Sequence, residues 1–301
     1  MYHQESYDRH CNWYNQQFPT REAKVNHYHK AKVSGKGTVS RWLQQIFFSC
    51  LEPLLQDPPQ HWLTVGDAYG FDAQYILSKG SSALATDLNV DFLEVAKQEG
   101  VVKAYAAENA EKLSFGNSKF DYVLCKESYH HFPRPYAALY EMIRVAKKAI
   151  VIIEPQDPVS KMPLLLLLTN LLSSKSRLLR KVWKNRFSFE PVGNFVYKVS
   201  EREFEKFAAG LNLPLVAFKK INPNFYFQGA ENVNNDTKNW KVLSIQVKKR
   251  FLDLLVKLKI LPGQVLSTII FKQVPHNRII QQLQIKGYRL VTIPRNPYID
   301  A

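Results

Sequence analysis

The sequence predicts an α/β chain organised on a doubly wound parallel sheet. Three observations carry that expectation. Five short apolar runs between residues 61 and 155 each end at a glycine or a polar residue. Helical segments separate the runs. Each run is nearly continuous in its apolar character rather than alternating, as in strands buried on both faces. Right-handed crossovers then make the sheet doubly wound, and ligands lie at the carboxyl ends of its strands, where the strand order reverses.

The elements follow in order. Residues 1–60 hold several helical patterns, notably Val39 to Leu55, ahead of the first strand. Trp62 to Val65 is a buried strand ended by Gly66, and Asp72 to Lys79 is a helix with Asp72 as its cap. Ala83 to Thr86 is a second strand ending at Asp87, followed by a helix through Gln98 with Asn89 as cap and Leu93 and Ala96 inward. Val102 to Ala106, Asp121 to Cys125 and Ala149 to Ile153 are the third, fourth and fifth strands, with a helix from Pro135 to Val145 before the last. The strand ends Gly66, Asp87, Glu108-Asn109, Lys126-Glu127 and Glu154 then share one polar edge. Ser200 to Gly210 is a helix with a capping box, Ser200 and Glu203. Leu213 to Phe218 and Leu266 to Phe271 are further strands. Two segments, 156–199 and 229–263, stand as insertions, the second with a helix near Lys241 to Leu261. Its stripe Val247, Phe251, Leu254 and Leu258 is expected to be core.

The composition narrows the class. The chain has 301 residues, 46% of them hydrophobic, enough to bury a full core and to exclude global disorder. Cys11, Cys50 and Cys125 are too few and too scattered for a disulfide framework or a zinc motif, and a reducing cytoplasm is expected. No apolar run follows the amino terminus, so no secretory signal is expected, and the leucine-rich stretch 164–172 is about half of the ~20 residues that a membrane span needs. The net charge of +15 is uneven: residues 161–301 carry 24 Lys/Arg against 8 Asp/Glu, residues 61–160 carry 10 against 13, and residues 1–60 carry 7 against 5. The basic half suits an acidic substrate or membrane surface, and the run Lys175 to Arg186 reads either as a peripheral membrane or lid helix or as an ordinary amphipathic one.

The chemistry concentrates in the glycine turn. Gly66-Asp67-Ala68-Tyr69-Gly70 follows a strand and opens a helix, and Asp87 falls 21 residues after Gly66 at the next strand end. That spacing is the one at which a carboxylate meets a ribose diol in nucleotide-binding βαβ units. The missing GxGxxG argues against a dinucleotide, which would seat its pyrophosphate on the helix amino terminus.

Four blocks in this order resemble the class I S-adenosylmethionine-dependent methyltransferases, specifically the type 11 methyltransferase domain. They are Leu63 to Gly70, Ala85 to Leu88, Glu108 to Phe115, and Phe120 to Cys125 running into Tyr129-His130-His131-Phe132. The resemblance is close over 61–155. It implies a Rossmann-like seven-stranded methyltransferase sheet, with 1–60 as a helical lid and 156–301 completing the sheet, its two insertions forming a basic acceptor-side region. It implies S-adenosyl-L-methionine as cofactor, held by Gly66, Asp67, Ala68, Gly70, Asp87, Leu88, Asn109, Ala110 and Lys126. Where the family often has an acid, a glycine and an aspartate, this chain has Thr64, Ala68 and Asn109. Asp67 is then expected to contact the methionine ammonium, and the Asn109 oxygen the adenine amino group.

Methyl transfer from a sulfonium mainly requires alignment and exclusion of water. A base is useful when the acceptor is a hydroxyl, and His130, His131 and Glu127 are the candidates for it. His27-Tyr28-His29 lacks a partner at metal-ligand spacing and reads as an exposed polar pair, and Ser34-Gly35-Lys36-Gly37 follows no strand, so no metal or phosphate site is expected. The expected function is methylation, at oxygen, of a small-molecule or glycan-type acceptor in the cytoplasm or at the periphery of a membrane. The rivals are an RNA methyltransferase, favoured by the basic half though no RNA-binding module is visible, and a non-catalytic protein of the same fold that binds a membrane or protein partner.

Overall fold

The computed structural model describes residues 2–32, 37–56, 59–158, 167, 188–190 and 194–298. Its centre is one eight-stranded sheet of order β3-β2-β1-β4-β5-β7-β6-β8. The strands are β1 His61–Val65, β2 Ser82–Asp87, β3 Tyr105–Ala107, β4 Phe120–Lys126, β5 Ala146–Pro155, β6 Leu215–Ile221, β7 Val265–Phe271 and β8 Arg289–Thr292. β1 to β5 run parallel, while β7 is antiparallel to both β5 and β6 and β8 is antiparallel to β6. The order reverses at β1, between β2 on one side and β4 on the other.

The continuous apolar runs have the expected cause. Ile150 to Ile153 of β5 are fully buried, odd and even positions alike, because helices cover both faces. One core holds Trp62, Tyr122, Val151 and Ile269, and the opposite core holds Leu63, Val123, Ile150 and Ile270. The helices are α1 Tyr2–Gln17, α2 Arg21–Ala31, α3 Val39–Phe48, α4 Phe71–Ser78, α5 Asp91–Gln98, α6 Pro135–Val145, α7 Glu201–Gly210, α8 Trp240–Lys257 and α9 Asn277–Ile285. Ser200 and Glu203 close the capping box of α7.

The structure corrects several expectations. The sheet has an eighth strand, β8, a short edge strand with Arg289 and Thr292 exposed, too brief to show a pattern. Asp72 does not cap α4. The N-cap of that helix is Gly70, whose φ is +71°, and Asp72 lies inside its first turn. The stripe on α8 is not core: Val247, Phe251, Leu254 and Leu258 are 50–62% exposed. The helix instead packs through another, mixed face: Val242 is fully buried against Val39 and Leu43 of α3, and polar side chains continue the contact. Asp253 accepts from Asn222 Nδ2 at 2.8 Å and from Lys249 Nζ at 2.6 Å, and Gln246 donates to Asn235 at 2.8 Å. His27 is not an exposed residue, since it bonds the Tyr69 hydroxyl at 2.9 Å and lies 4.2 Å from the Phe18 ring, while the exposed His29 pairs with Glu99. The basic run 175–186, most of Ser34 to Gly37 and, apart from Leu167, the leucine stretch 164–172 lie outside the described residues.

The amino-terminal helices sit beside the carboxyl ends of the parallel strands. Tyr14 and Phe18 pack edge-on against Phe92 of α5, and Lys24 and Lys32 pair with Asp91 and Glu99 at 2.6 and 2.9 Å. Ser6 donates to Asn194 at 3.0 Å, tying α1 to the end of the first insertion. The second insertion is tied to α3 instead, through the bond from Val39 N to Val233 O.

Candidate active site

Gly66 ends β1 with φ +72°, and a Cβ there would lie 2.4 Å from Ser128 Cβ. Only glycine satisfies both the positive φ and that approach. Ser128 Oγ donates to Gly66 O at 2.6 Å and locks the turn after β4 to the turn after β1. The two turns flank the point where the strand order reverses, and a cavity of about 440 Å³ opens there.

The sheet edge supplies one wall of that cavity, with Gly66, Asp67, Ala68, Asp87, Leu88, Asn109, Ala110, Lys126 and Glu127. α1 supplies a second wall with Tyr7, His10, Trp13 and Tyr14. His131, Glu190 and Asn194 close the far end. Gly70 and His130, both expected in the site, stand behind this surface. Residues of α8 line a separate groove with Lys219 and Arg289.

Asp67, expected to contact the methionine ammonium, lines the cavity and is also engaged by its own surroundings. Its carboxylate accepts from Ala73 N at 2.9 Å, from Asp72 N at 3.3 Å and from Thr64 Oγ1 at 3.0 Å, so it caps α4 from inside the turn. Burial, with Asp72 close by, pushes its pKa up to about 8. Lys126 Nζ lies 3.3 Å from Asp72 and 5.4 Å from the Phe47 ring centre. Burial opposes its charge, but Asp72, Glu127 and Asp67 hold it protonated above the usual lysine range. The trio thus balances charge beneath the glycine turn.

Asp87 accepts from Asn89 N at 2.9 Å. Burial in the cavity wall pushes its pKa up to about 6, against the backbone amides of Asn89 and Leu88, which favour the carboxylate. The Asn109 oxygen is engaged by its own loop, accepting from Glu111 N at 2.9 Å, so one of its lone pairs is used before any ligand arrives. Glu127 is exposed at the mouth, in the left-handed region at φ +51°.

At the far end, Glu154 is fully buried and accepts from Ser128 N and Tyr129 N at 2.8 Å each. Its other oxygen meets His130 Nδ1. His130 Nε2 faces Glu190 Oε1 at 3.7 Å, and His131 Nδ1 lies 2.8 Å from Glu190 Oε2. Burial disfavours a charged His130, but Glu154 and Glu190 outweigh it and push the pKa up to about 10. Two carboxylates focused on two imidazoles make this a place that attracts positive charge. Glu190, Asn194 and the α1 aromatics carry no signal in the sequence because they come from segments without strand-end position. Glu154 is visible there only as the end of the fifth strand.

Residues 63–153 match the family described as "Methyltransferase domain". No curated protein matches the chain. Among solved structures, similarity is found to a SAM-dependent methyltransferase from Methanosarcina mazei, at 14% identity over 75% of this chain and 98% of that one, TM-score 0.46. It is found also to the 1,6-didemethyltoxoflavin-N1-methyltransferase of Burkholderia thailandensis with bound 1,6-didemethyltoxoflavin and S-adenosylhomocysteine, at 15% identity over 84% and 87%, TM-score 0.47. A third is the plantazolicin methyltransferase in complex with a triazolic desmethylPZN analogue and SAH, at 17% identity over 89% and 97%, TM-score 0.45. These values are too low to carry a substrate to this chain.

Proposed function

We propose that this chain, which carries an S-adenosylmethionine-dependent methyltransferase domain over residues 63–153, methylates an oxygen of a small-molecule or glycan-type acceptor held under helix α1. The observation that carries this reading is one cavity with Asp87 and Asn109 on its sheet edge and His131 and Glu190 at its far end. The residues fit the cofactor. The glycine turn brings backbone to the cavity surface, Asp87 offers a carboxylate for the ribose hydroxyls, and Asn109 and Ala110 form the adenine side.

S-adenosylmethionine, when bound, supplies a methyl group already activated on a sulfonium. The protein's task is placement. Tyr14 and Trp13 of α1 line the cavity opposite the sheet edge and limit access of water to it, Asp87 fixes the nucleoside end, and His131 and Glu190 face the acceptor oxygen with His130 behind them. Asp67 and Gly70 act by shaping the turn, Asp67 as the cap of α4.

The test is transfer of labelled methyl from the cofactor to fractions of a cell extract, with mass analysis of the product. Label in an acid-stable ether of a small molecule or glycan supports the reading, and label only in ribonuclease-sensitive material replaces it with RNA methylation.

One further observation favours a membrane location for that acceptor. Trp240, Val247, Phe251 and Leu254 are exposed on α8 among Lys241, Lys248, Arg250 and Lys257, the pattern of a helix that lies on an anionic lipid surface. Sedimentation with vesicles containing anionic lipid, lost in neutral vesicles and at high salt, tests it. Among the described residues no helix is long and apolar enough to cross a membrane.

A further inference from the structure

We propose that His130, His131 and Glu190 form a binding site for a divalent transition-metal ion at the acceptor end of the cavity; its use in catalysis rests on the methyl-transfer reading above. Among the described residues these three form a group in which one ligand atom from each lies within 4.8 Å of the others. Glu190 Oε2 is 2.8 Å from His131 Nδ1, and Oε1 is 3.7 Å from His130 Nε2. An ion held tetrahedrally at ~2.0–2.2 Å from nitrogen and oxygen donors separates ligand atoms by roughly 3.3–3.6 Å. The 3.7 Å spacing lies just above that range and the 2.8 Å spacing about half an ångström below it, each to a different oxygen of Glu190, so a turn of the carboxylate and of the rings is needed to gather the three ligand atoms from within 4.8 Å around one ion.

Two features separate this cluster from an ordinary ion pair. The first is the outer carboxylate. Glu154 is fully buried and fixed by two backbone N–H groups, and it takes the Nδ1 side of His130. That contact fixes the ring's orientation and leaves Nε2 toward Glu190. A carboxylate behind a histidine is the usual support of a metal-ligating imidazole. The second is His131 Nδ1, a buried atom that makes no aligned hydrogen bond although Glu190 Oε2 is 2.8 Å away. Ring and carboxylate are close without a well-aligned shared proton, which leaves the Nδ1 lone pair open to an ion.

Two imidazoles and one carboxylate suit zinc, manganese, iron, cobalt or nickel, and suit magnesium or calcium poorly, since those favour all-oxygen sets. Three protein ligands leave coordination positions open. His131 and Glu190 line the cavity, so those positions face the space assigned to the acceptor. An ion there would orient an acceptor oxygen and raise its acidity. His131 would then be a ligand and not a proton acceptor.

The experiment uses tag-free full-length chain, stripped with chelator, in equilibrium dialysis against Zn²⁺ and in Co²⁺ absorption titration. The expected result is one ion per chain, a visible cobalt band from a mixed nitrogen–oxygen site, and at least tenfold weaker binding in both Glu190→Gln and His131→Gln. Glu154→Gln should weaken binding ~10–100-fold, as loss of an outer carboxylate does. Circular dichroism checks that each variant is folded, and Glu190, half-exposed, is the variant least exposed to that risk. Absence of Zn²⁺ and Co²⁺ binding by the folded chain at 0.1 mM overturns the proposal, as does binding that survives both ligand substitutions. Calorimetry with S-adenosylmethionine on the stripped protein is the separate arm. Failure there removes the methyl-transfer reading, while the dialysis result still decides the metal site.

Discussion

Asp87→Asn should move binding and stability in opposite directions. The Asp87 carboxyl ionises at about 6, against 3.8 for the unperturbed group, because burial in the cavity wall disfavours the charge. Between those values the folded state holds a proton that the unfolded chain has lost. Asp87 therefore costs stability as pH rises through that window, and by pH 7 the cost is at most ~3 kcal/mol, since each tenfold change in the ionisation constant is worth ~1.4 kcal/mol. The asparagine variant removes it. Its melting temperature should exceed that of the wild type at pH 7, by roughly 2–4 °C for each kcal/mol recovered, and the difference should vanish near pH 4. Cofactor binding should behave in reverse. Hydrogen bonds to a charged group contribute ~1.5–3 kcal/mol, so the variant should bind S-adenosylmethionine ~10–150-fold more weakly at pH 7.5. In the wild type the dissociation constant should rise ~10-fold by pH 5 as the carboxylate is protonated, whereas in the variant it should stay flat. Calorimetry from pH 7.5 to 5 and thermal melts read the two effects separately. Equal affinity of variant and wild type, or a flat wild-type profile, would refute the assignment of Asp87 to the ribose.

Gly70→Ala places a Cβ 2.6 Å from Val102 Cγ1 at φ +71°, and urea unfolding should show a loss of ~2–4 kcal/mol with unchanged m-value. Ser200→Ala removes the hydroxyl that accepts from Glu203 N at 3.2 Å, and should cost ~1 kcal/mol in the same assay. Phe251→Ser, at a position 62% exposed, should change stability by less than ~0.5 kcal/mol yet reduce sedimentation with anionic vesicles. Replacing Lys248, Lys249 and Arg250 together by glutamate should leave S-adenosylmethionine affinity unchanged, because α8 lines a groove apart from the cavity; a calorimetric loss would mean that the two are coupled.

The parallel half of the sheet is legible in the sequence because each strand there is a short apolar run closed by a polar residue. β1, β2, β4 and β5 fall at or around the positions that the runs mark, and the Pro135–Val145 helix falls on its pattern. Periodicity reports that a helix has two faces and leaves open which one is buried. On α8 the buried Val242 and the hydrogen bonds of Asp253 and Gln246 turn a mixed face inward, so the stripe Val247, Phe251, Leu254 and Leu258 faces outward. Asp67 shows the complementary limit. Its place in the glycine turn suggests ligand contact, and nothing local in the sequence shows that its carboxylate also accepts from Thr64 of β1 and from two backbone amides of α4. Glu190 lies far along the chain from His130 and His131, and only the folded chain brings them together at the cavity. Contacts of that kind leave no local pattern.

The most direct test of the account is a crystal structure of the chain with S-adenosylhomocysteine. The account predicts density in the cavity at the β1–β4 crossing, with both ribose hydroxyls within hydrogen-bond distance of the Asp87 carboxylate, the adenine beside Asn109 and Ala110, and the sulfur turned toward His131. Density in the groove between α8 and Lys219, or a ribose facing any residue other than Asp87, would contradict it.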